Sequence, residues 1–95
     1  MNCSSTTFSG HAIKRMFARS INSTMVKTAI SEGEIIIEYL DDQPYPSFLI
    51  LWFDNKVPLH VVVAQNRRDD LCYIITAYIP SGALWEADFK MRKPS

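Results

Sequence analysis

The opening third of the chain carries apolar residues at the spacing of a helix. In "SGHAIKRMFARS", Ile13, Met16 and Phe17 follow one another at i, i+3 and i+4, which places them on one side of a helix. Ser9 stands just before this stretch, where a side-chain oxygen can accept a hydrogen bond from a free N–H group. The pattern therefore predicts a first helix that begins after Ser9.

A second helix is predicted over "SINSTMVKTAISEG". Ser20 or Asn22 can cap its start, and Gly33 suits the left-handed residue that commonly ends a helix. Four residues form its apolar side: Met25, Val26, Ala29 and Ile30. After Gly33 the helical spacing stops.

The middle of the chain has the pattern of strands. The runs "EIIIEYL", "FLILWF", "VPLHVVVAQ" and "LCYIITAYI" are rich in β-branched and aromatic residues. The segments between them, "DDQPYPS", "DNK" and "NRRDD", carry the residues that favour turns. Because short turns join antiparallel neighbours, the four runs predict an antiparallel meander sheet.

The chain closes with "PSGALWEADFKMRK", which the sequence predicts as a short helix capped by Ser81. Three pairs at i and i+4 support it: Trp85–Phe89, Glu86–Lys90 and Asp88–Arg92. The predicted fold class is therefore α+β, with two N-terminal helices packed on a four-stranded antiparallel meander sheet and a short C-terminal helix.

Length and composition suit one globular domain. The 95 residues, of which 47% are apolar, predict a single domain over 1–95 with residues 1–7 as a disordered tail. The opening "MNCSSTTFSG" lacks the basic start and apolar core of a signal peptide, and the longest apolar runs fall short of the ~18–20 residues that span a bilayer. We expect a cytoplasmic protein with no membrane contact.

The cysteines and histidines do not form a ligand pattern. Cys3 and Cys72 are far apart, neither belongs to a C-x-x-C pair, and His11 and His60 are not at ligand spacing with either. The sequence therefore predicts no disulfide framework, no metal site and no cofactor.

Charge is balanced in total but uneven along the chain. Residues 1–31 contain only basic charges and residues 32–54 only acidic ones, whereas the tail "FKMRKPS" is basic again. If the two basic segments meet in space, a neutral protein still presents a basic face. Alternatively, these charges are scattered over a solvated surface.

Several stretches together resemble a bacterial family, the domain of unknown function numbered 4258. They are "FSGHAIKRMFARSI", "EGEIIIEYLDDQPYPSFLILWF", "PLHVVVA" and "IITAYIPSGALWEADFKMRK", and they cover about Phe8 to Lys93. The most specific parts are the H-A-x-x-R-M opening, the "PYPS" loop, the "PLHVVVA" strand and the W-x-x-D-F-K ending.

The resemblance implies a RelE-like or barnase-like ribonuclease fold, similar to that of the RelE and MqsR toxins, which cut messenger RNA. It also implies a cognate antitoxin as partner, which in similar proteins often bears a zinc-finger segment. Because fold alone does not carry function, the site is argued from residues.

The first helix carries candidate groups for RNA chemistry. Metal-independent cleavage needs a base, an acid and cations beside the phosphate, roles that suit histidine and arginine. His11, Arg15 and Arg19 stand at i, i+4 and i+8 and line up along one edge. They form either a phosphate-facing stripe or an ordinary exposed helix face with His11 near its start.

His60 is the second candidate and lies in a predicted strand. Because side chains alternate, it shares a face with Val62 and Ala64. A register that pairs even positions with even positions puts Thr76 and Tyr78 on the same side. His60 can act on a substrate only if the helices leave its face uncovered. Otherwise it is a buried neutral histidine bonded to the backbone.

Two functional hypotheses follow. The first is the toxin of a type II toxin–antitoxin pair, a metal-independent endoribonuclease acting on mRNA. Its predicted catalytic residues are His11, Arg15, His60 and Tyr78, and its substrate-binding residues are Arg19, Lys90 and Arg92. The second is a non-catalytic protein- or nucleic-acid-binding module of the same fold. The enzyme is favoured if one open face brings together both histidines, Arg15 and a basic residue of the tail. The binding module is favoured if the histidines lie on opposite sides of the sheet.

Overall fold

Both predicted N-terminal helices are present in the computed structural model, which describes residues 1–94. Helix α1 spans Gly10–Ala18, and the Ser9 side chain accepts a hydrogen bond from the N–H of Ala12 as predicted. Helix α2 spans Ser23–Glu32 and is capped by Asn22, one of the two predicted residues. No helix within residues 1–94 is long and apolar enough to cross a membrane.

Five strands form one mixed sheet. They are β1 (Ser5–Phe8), β2 (Glu34–Tyr39), β3 (Ser47–Asp54), β4 (Val57–Asn66) and β5 (Leu71–Tyr78), in the spatial order β1-β5-β4-β3-β2. Strands β2 to β5 pair antiparallel, whereas β1 runs parallel to β5. The predicted four-stranded antiparallel meander is therefore wrong. The missed strand, "STTF", has no apolar alternation and pairs with a strand far away in the sequence.

The amino-terminal residues are held against the body of the protein. The segment predicted as a disordered tail, 1–7, contains most of β1, and the terminal amine of Met1 donates to the carbonyl oxygen of Ile30 at 3.0 Å. Cys3 forms a disulfide with Cys72, whose Cα lies 5.7 Å away. The prediction of no disulfide is therefore wrong, because it placed Cys3 in a disordered tail and left β1 out of the sheet.

The helices cover only one face of the sheet. Odd positions of β4, such as Val61 and Val63, pack with Ala12 and Met16 of α1 in the main apolar core. Even positions of β4, including His60, point to the opposite face. The sheet therefore has a helix-covered face and a second face that must be covered by something else.

Residues 80–94, which we name the C-terminal strap, cover part of that second face. They contain turns and one isolated bridge between Trp85 and Arg92, so the predicted C-terminal helix is wrong. Asp88 accepts a hydrogen bond from the N–H of Lys90, and Phe89 has a φ of 59°. A segment this short has little helix stability of its own, and its aspartate competes for the backbone.

Candidate functional site

His60 lies where β4 meets the C-terminal strap, and both of its ring nitrogens have partners. Its side chain is completely buried. Nε2 lies 2.8 Å from the carbonyl oxygen of Phe89, which can only accept, so Nε2 carries the proton. Nδ1 then accepts from the hydroxyl of Tyr78 at 3.1 Å. A neutral imidazole therefore satisfies the hydrogen-bonding capacity of both ring nitrogens.

Aromatic rings surround His60. The ring of Trp85 meets the imidazole edge-on at a centroid distance of 4.5 Å, and the ring of Tyr78 does so at 5.2 Å. Burial lowers the pKa of His60 below its ordinary value, although the bond to the Phe89 carbonyl opposes this shift. Burial also raises the pKa of Tyr78, with Tyr39 adding to the shift and Arg92 opposing it. Both groups are therefore neutral at pH 7.

Around His60 the register of β4 and β5 is the even-to-even pairing considered from the sequence, and it shifts by one residue between Val62 and Val63. His60 pairs directly with Tyr78, and Val62 pairs with Thr76. The helices leave this face uncovered, which was the condition set for contact with a substrate, but the strap covers His60 instead. Nothing in the strand pattern shows that "ALWEADF" folds back over it.

The other predicted catalytic residues lie on the opposite side of the sheet. His11 and Arg15 are exposed on α1, and Arg19 follows at its C-cap. Because α1 packs in the core that contains Val61 and Val63 of β4 and Ile74 of β5, the sheet separates these side chains from His60. The structure therefore brings Tyr78 to His60 but does not bring His11 or Arg15 to it.

The basic residues of the strap do not join the basic residues of α1. Lys90 Nζ forms an ion pair with Glu34 Oε1 at 3.0 Å, on the edge strand β2. The guanidinium of Arg92 lies 5.8 Å from the ring centroid of Trp85. The predicted substrate-binding set of Arg19, Lys90 and Arg92 is thus divided between the two faces. No group of three or more potential metal ligands occurs within residues 1–94.

An apolar groove opens beside α1. We name it the docking groove; it has a volume of about 420 Å³, and five apolar residues line it: Phe8, Ile13, Met16, Phe17 and Ile21. Phe17 is 88% exposed although it lies on the apolar stripe of α1, and Ile13 is 55% exposed. The sequence pattern identified this stripe but did not distinguish its buried part from its exposed part.

A second cavity, also of about 420 Å³, lies on the face opposite the helices. We name it the tyrosine cavity. Tyr45 of the β2–β3 loop stacks on Tyr73 of β5, with ring centroids 5.6 Å apart and planes inclined by 5°. Asp42 and Ser47 line it too, and the Ser47 hydroxyl donates to the Asp42 carboxylate.

Comparison with known proteins gives one match. The family model described as Domain of unknown function (DUF4258) matches residues 8–79. The chain belongs to this family. The matched residues run from Phe8, the last residue of β1, through β5 and stop just before the strap.

No curated protein and no solved structure matched the chain. The resemblance to RelE and MqsR toxins, which rested on a shared fold, is therefore not supported. Membership in the DUF4258 family is confirmed, but it assigns no activity.

Proposed function

We propose that this chain is a non-catalytic binding module that captures an acidic amphipathic segment of a protein partner on its helical layer. The observation that carries the proposal is the exposure of Phe17. This side chain lines the docking groove and is 88% exposed to solvent. Exposed aromatic side chains in apolar grooves are typical anchors of protein–protein contacts.

The charge of the helical layer fits an acidic partner. Residues 1–31, which form β1, α1 and nearly all of α2, contain Lys14, Arg15, Arg19 and Lys27 and no carboxylate side chain. Lys14 is exposed and stands three positions before Phe17. Its side chain therefore projects from the helix about 60° around the axis from that of Phe17. A partner helix with apolar residues on one side and carboxylates beside them would match both features.

The competing hypothesis, an endoribonuclease, has weaker support. Its two imidazoles lie on opposite faces of the sheet, and both nitrogens of His60 are already bonded inside the protein. RNA would be attracted to the cations of α1, but an apolar groove offers little to a phosphate backbone. The antitoxin that the family resemblance implies is one protein that could supply the acidic segment.

The experiment uses a designed, labelled helical peptide with leucines along one side and glutamates elsewhere, and follows its fluorescence anisotropy. Phe17→Ser should weaken binding about tenfold or more, because it removes the central anchor. The matched control is Met91→Ser, which changes an apolar side chain that is also well exposed but lies on the strap. A peptide with lysines in place of glutamates should not bind.

A labelled single-stranded RNA run in parallel tests the alternative. Cleavage of this RNA would contradict the proposal. So would RNA binding that depends steeply on salt, if the acidic peptide does not bind. Equal peptide affinities of the Phe17→Ser and Met91→Ser variants would also contradict it.

A further inference from the structure

We propose that the tyrosine cavity binds a guanidinium group, that of an arginine side chain. The cavity lies across the sheet from the docking groove, and this proposal does not depend on the function proposed above. Its volume of about 420 Å³ falls within the range of small-ligand sites, and its lining combines aromatic surface with a few polar groups.

The shape of the cavity follows from the sequence around it. Ser47 and Ala64 face each other across β3 and β4, and their small side chains leave space over the sheet. The "DDQPYP" loop rises beside this space and brings Tyr45 over Tyr73. The two half-buried rings therefore form an aromatic wall above a floor of small residues.

The polar groups favour a cation. Asp42 contributes a carboxylate that the Ser47 hydroxyl holds in place, and Gln43 adds an amide oxygen as a further acceptor. None of the described residues that line the cavity is positively charged. Residues 32–54 contain six carboxylates and no lysine or arginine, so the local charge also attracts a cation.

The combination favours guanidinium over ammonium. A guanidinium group is flat and weakly hydrated, stacks on aromatic faces and pairs with a carboxylate through two parallel N–H groups. An ammonium group is compact and strongly hydrated, so it gains less from a tyrosine wall. The source is either a partner's arginine or an arginine of a second copy of this chain.

The test is a titration of the protein with N-acetyl-arginine amide, followed by proton–nitrogen correlation spectra. We expect saturable shifts centred on residues 42–47 and Tyr73. The lysine analogue should bind at least about fivefold more weakly, and the citrulline analogue, which is neutral and nearly the same shape, should not bind.

Two matched variants locate the site. Asp42→Asn should weaken binding about tenfold, because it removes the charge but can still accept from Ser47. Asp41→Asn, a change of the neighbouring exposed carboxylate outside the lining, should leave affinity within about twofold. Equal effects of the two variants, equal binding of the lysine analogue, or no saturation would overturn the proposal. The same shifts appearing when the protein alone is concentrated would support it, with a second copy as the source.

Discussion

The imidazole of His60 donates its Nε2–H to the carbonyl oxygen of Phe89 across 2.8 Å and so joins β4 to the C-terminal strap. The two residues are 29 positions apart in the chain. The imidazole is completely buried, and the hydroxyl of Tyr78 donates to its other ring nitrogen. We conclude that His60 stabilises the strap rather than acting on a substrate.

Stability should fall as the pH drops below about 6.5. Burial holds the pKa of His60 in the folded state below its ordinary value of 6.5, so the unfolded chain takes up the proton first. The contribution of His60 is therefore complete above pH 6.5 and is lost progressively as the pH falls towards the lowered pKa. Urea unfolding measured at several pH values between about 8 and 5 checks this.

The control for this prediction is His60→Gln, which removes the titrating group. Carboxylates also lose charge near pH 5, but they do so in both proteins. The free energy of unfolding should therefore depend less steeply on pH in the variant than in the wild type. Parallel curves would mean that His60 titrates alike in the folded and unfolded states.

Removing the indole of Trp85 should release the strap. Trp85 is 5% exposed, contacts the His60 ring and lies beneath the guanidinium of Arg92. Trp85→Ala should lower the free energy of unfolding by about 3 kcal/mol. If the strap opens separately from the rest of the fold, the loss cannot exceed the free energy that holds the strap closed. Hydrogen exchange should accelerate at the amides of Glu86 and Lys93, which bond within the strap, while α1 stays protected. Uniform acceleration over the whole chain would argue against a separately opening strap.

Substitutions at two neighbouring residues of α1 should change stability by very different amounts. Met16 is 6% exposed and belongs to the core, so Met16→Ala should cost about 2–4 kcal/mol. Phe17 is 88% exposed, so Phe17→Ser should change the free energy of unfolding by no more than about 0.5 kcal/mol. Chemical denaturation of both variants measures this. A large loss with Phe17→Ser would show that this side chain packs within the fold, and would remove the basis for the docking groove.

Gly33 is required for close packing rather than for a left-handed backbone. Its φ of −77° and ψ of 175° are extended, contrary to the sequence expectation, and the left-handed residue after α1 is Ser20. A Cβ at Gly33 would clash with the Ala29 carbonyl and the Ile50 side chain. Gly33→Ala should therefore lower the thermal midpoint, at a cost of about 1–3 kcal/mol.

Gly10 provides the matched control for Gly33. It lies at the start of α1, where a Cβ would meet nothing within 4 Å. Gly10→Ala should raise the thermal midpoint slightly, because alanine favours helices by up to about 1 kcal/mol. A similar loss in both variants would contradict the steric explanation.

The sequence predicts the elements whose signals are local. Ser9 and Asn22 mark the helix starts, and the long β-branched runs mark β2 to β5, because capping and side-chain alternation depend on near neighbours. Strand β1 was missed because its pairing of Ser5 with Leu71 spans most of the chain. The strap was mistaken for a helix because Trp85 and Phe89, spaced i and i+4, instead contact His60 and Phe53 on the sheet.

The site was predictable only in part for the same reason. Alternation along β4 and β5 puts His60 and Tyr78 on one face only in the register that pairs them directly, and the sequence left that register open. Whether that face met solvent depended on the strap, whose path depends on the His60–Phe89 bond and the buried Trp85. Similarly, helix periodicity grouped Met16 with Phe17, but the fold buries Met16 in the core and leaves Phe17 exposed.

The protonation state of His60 tests the account most directly, and long-range proton–nitrogen spectra of the imidazole rings measure it. We predict that at pH 7 His60 is a neutral ring with its proton on Nε2, and that its pKa lies below the ordinary value of 6.5. An imidazole that titrates near 6.5 and exchanges its ring proton freely with water would contradict the account, because it would place His60 in contact with solvent.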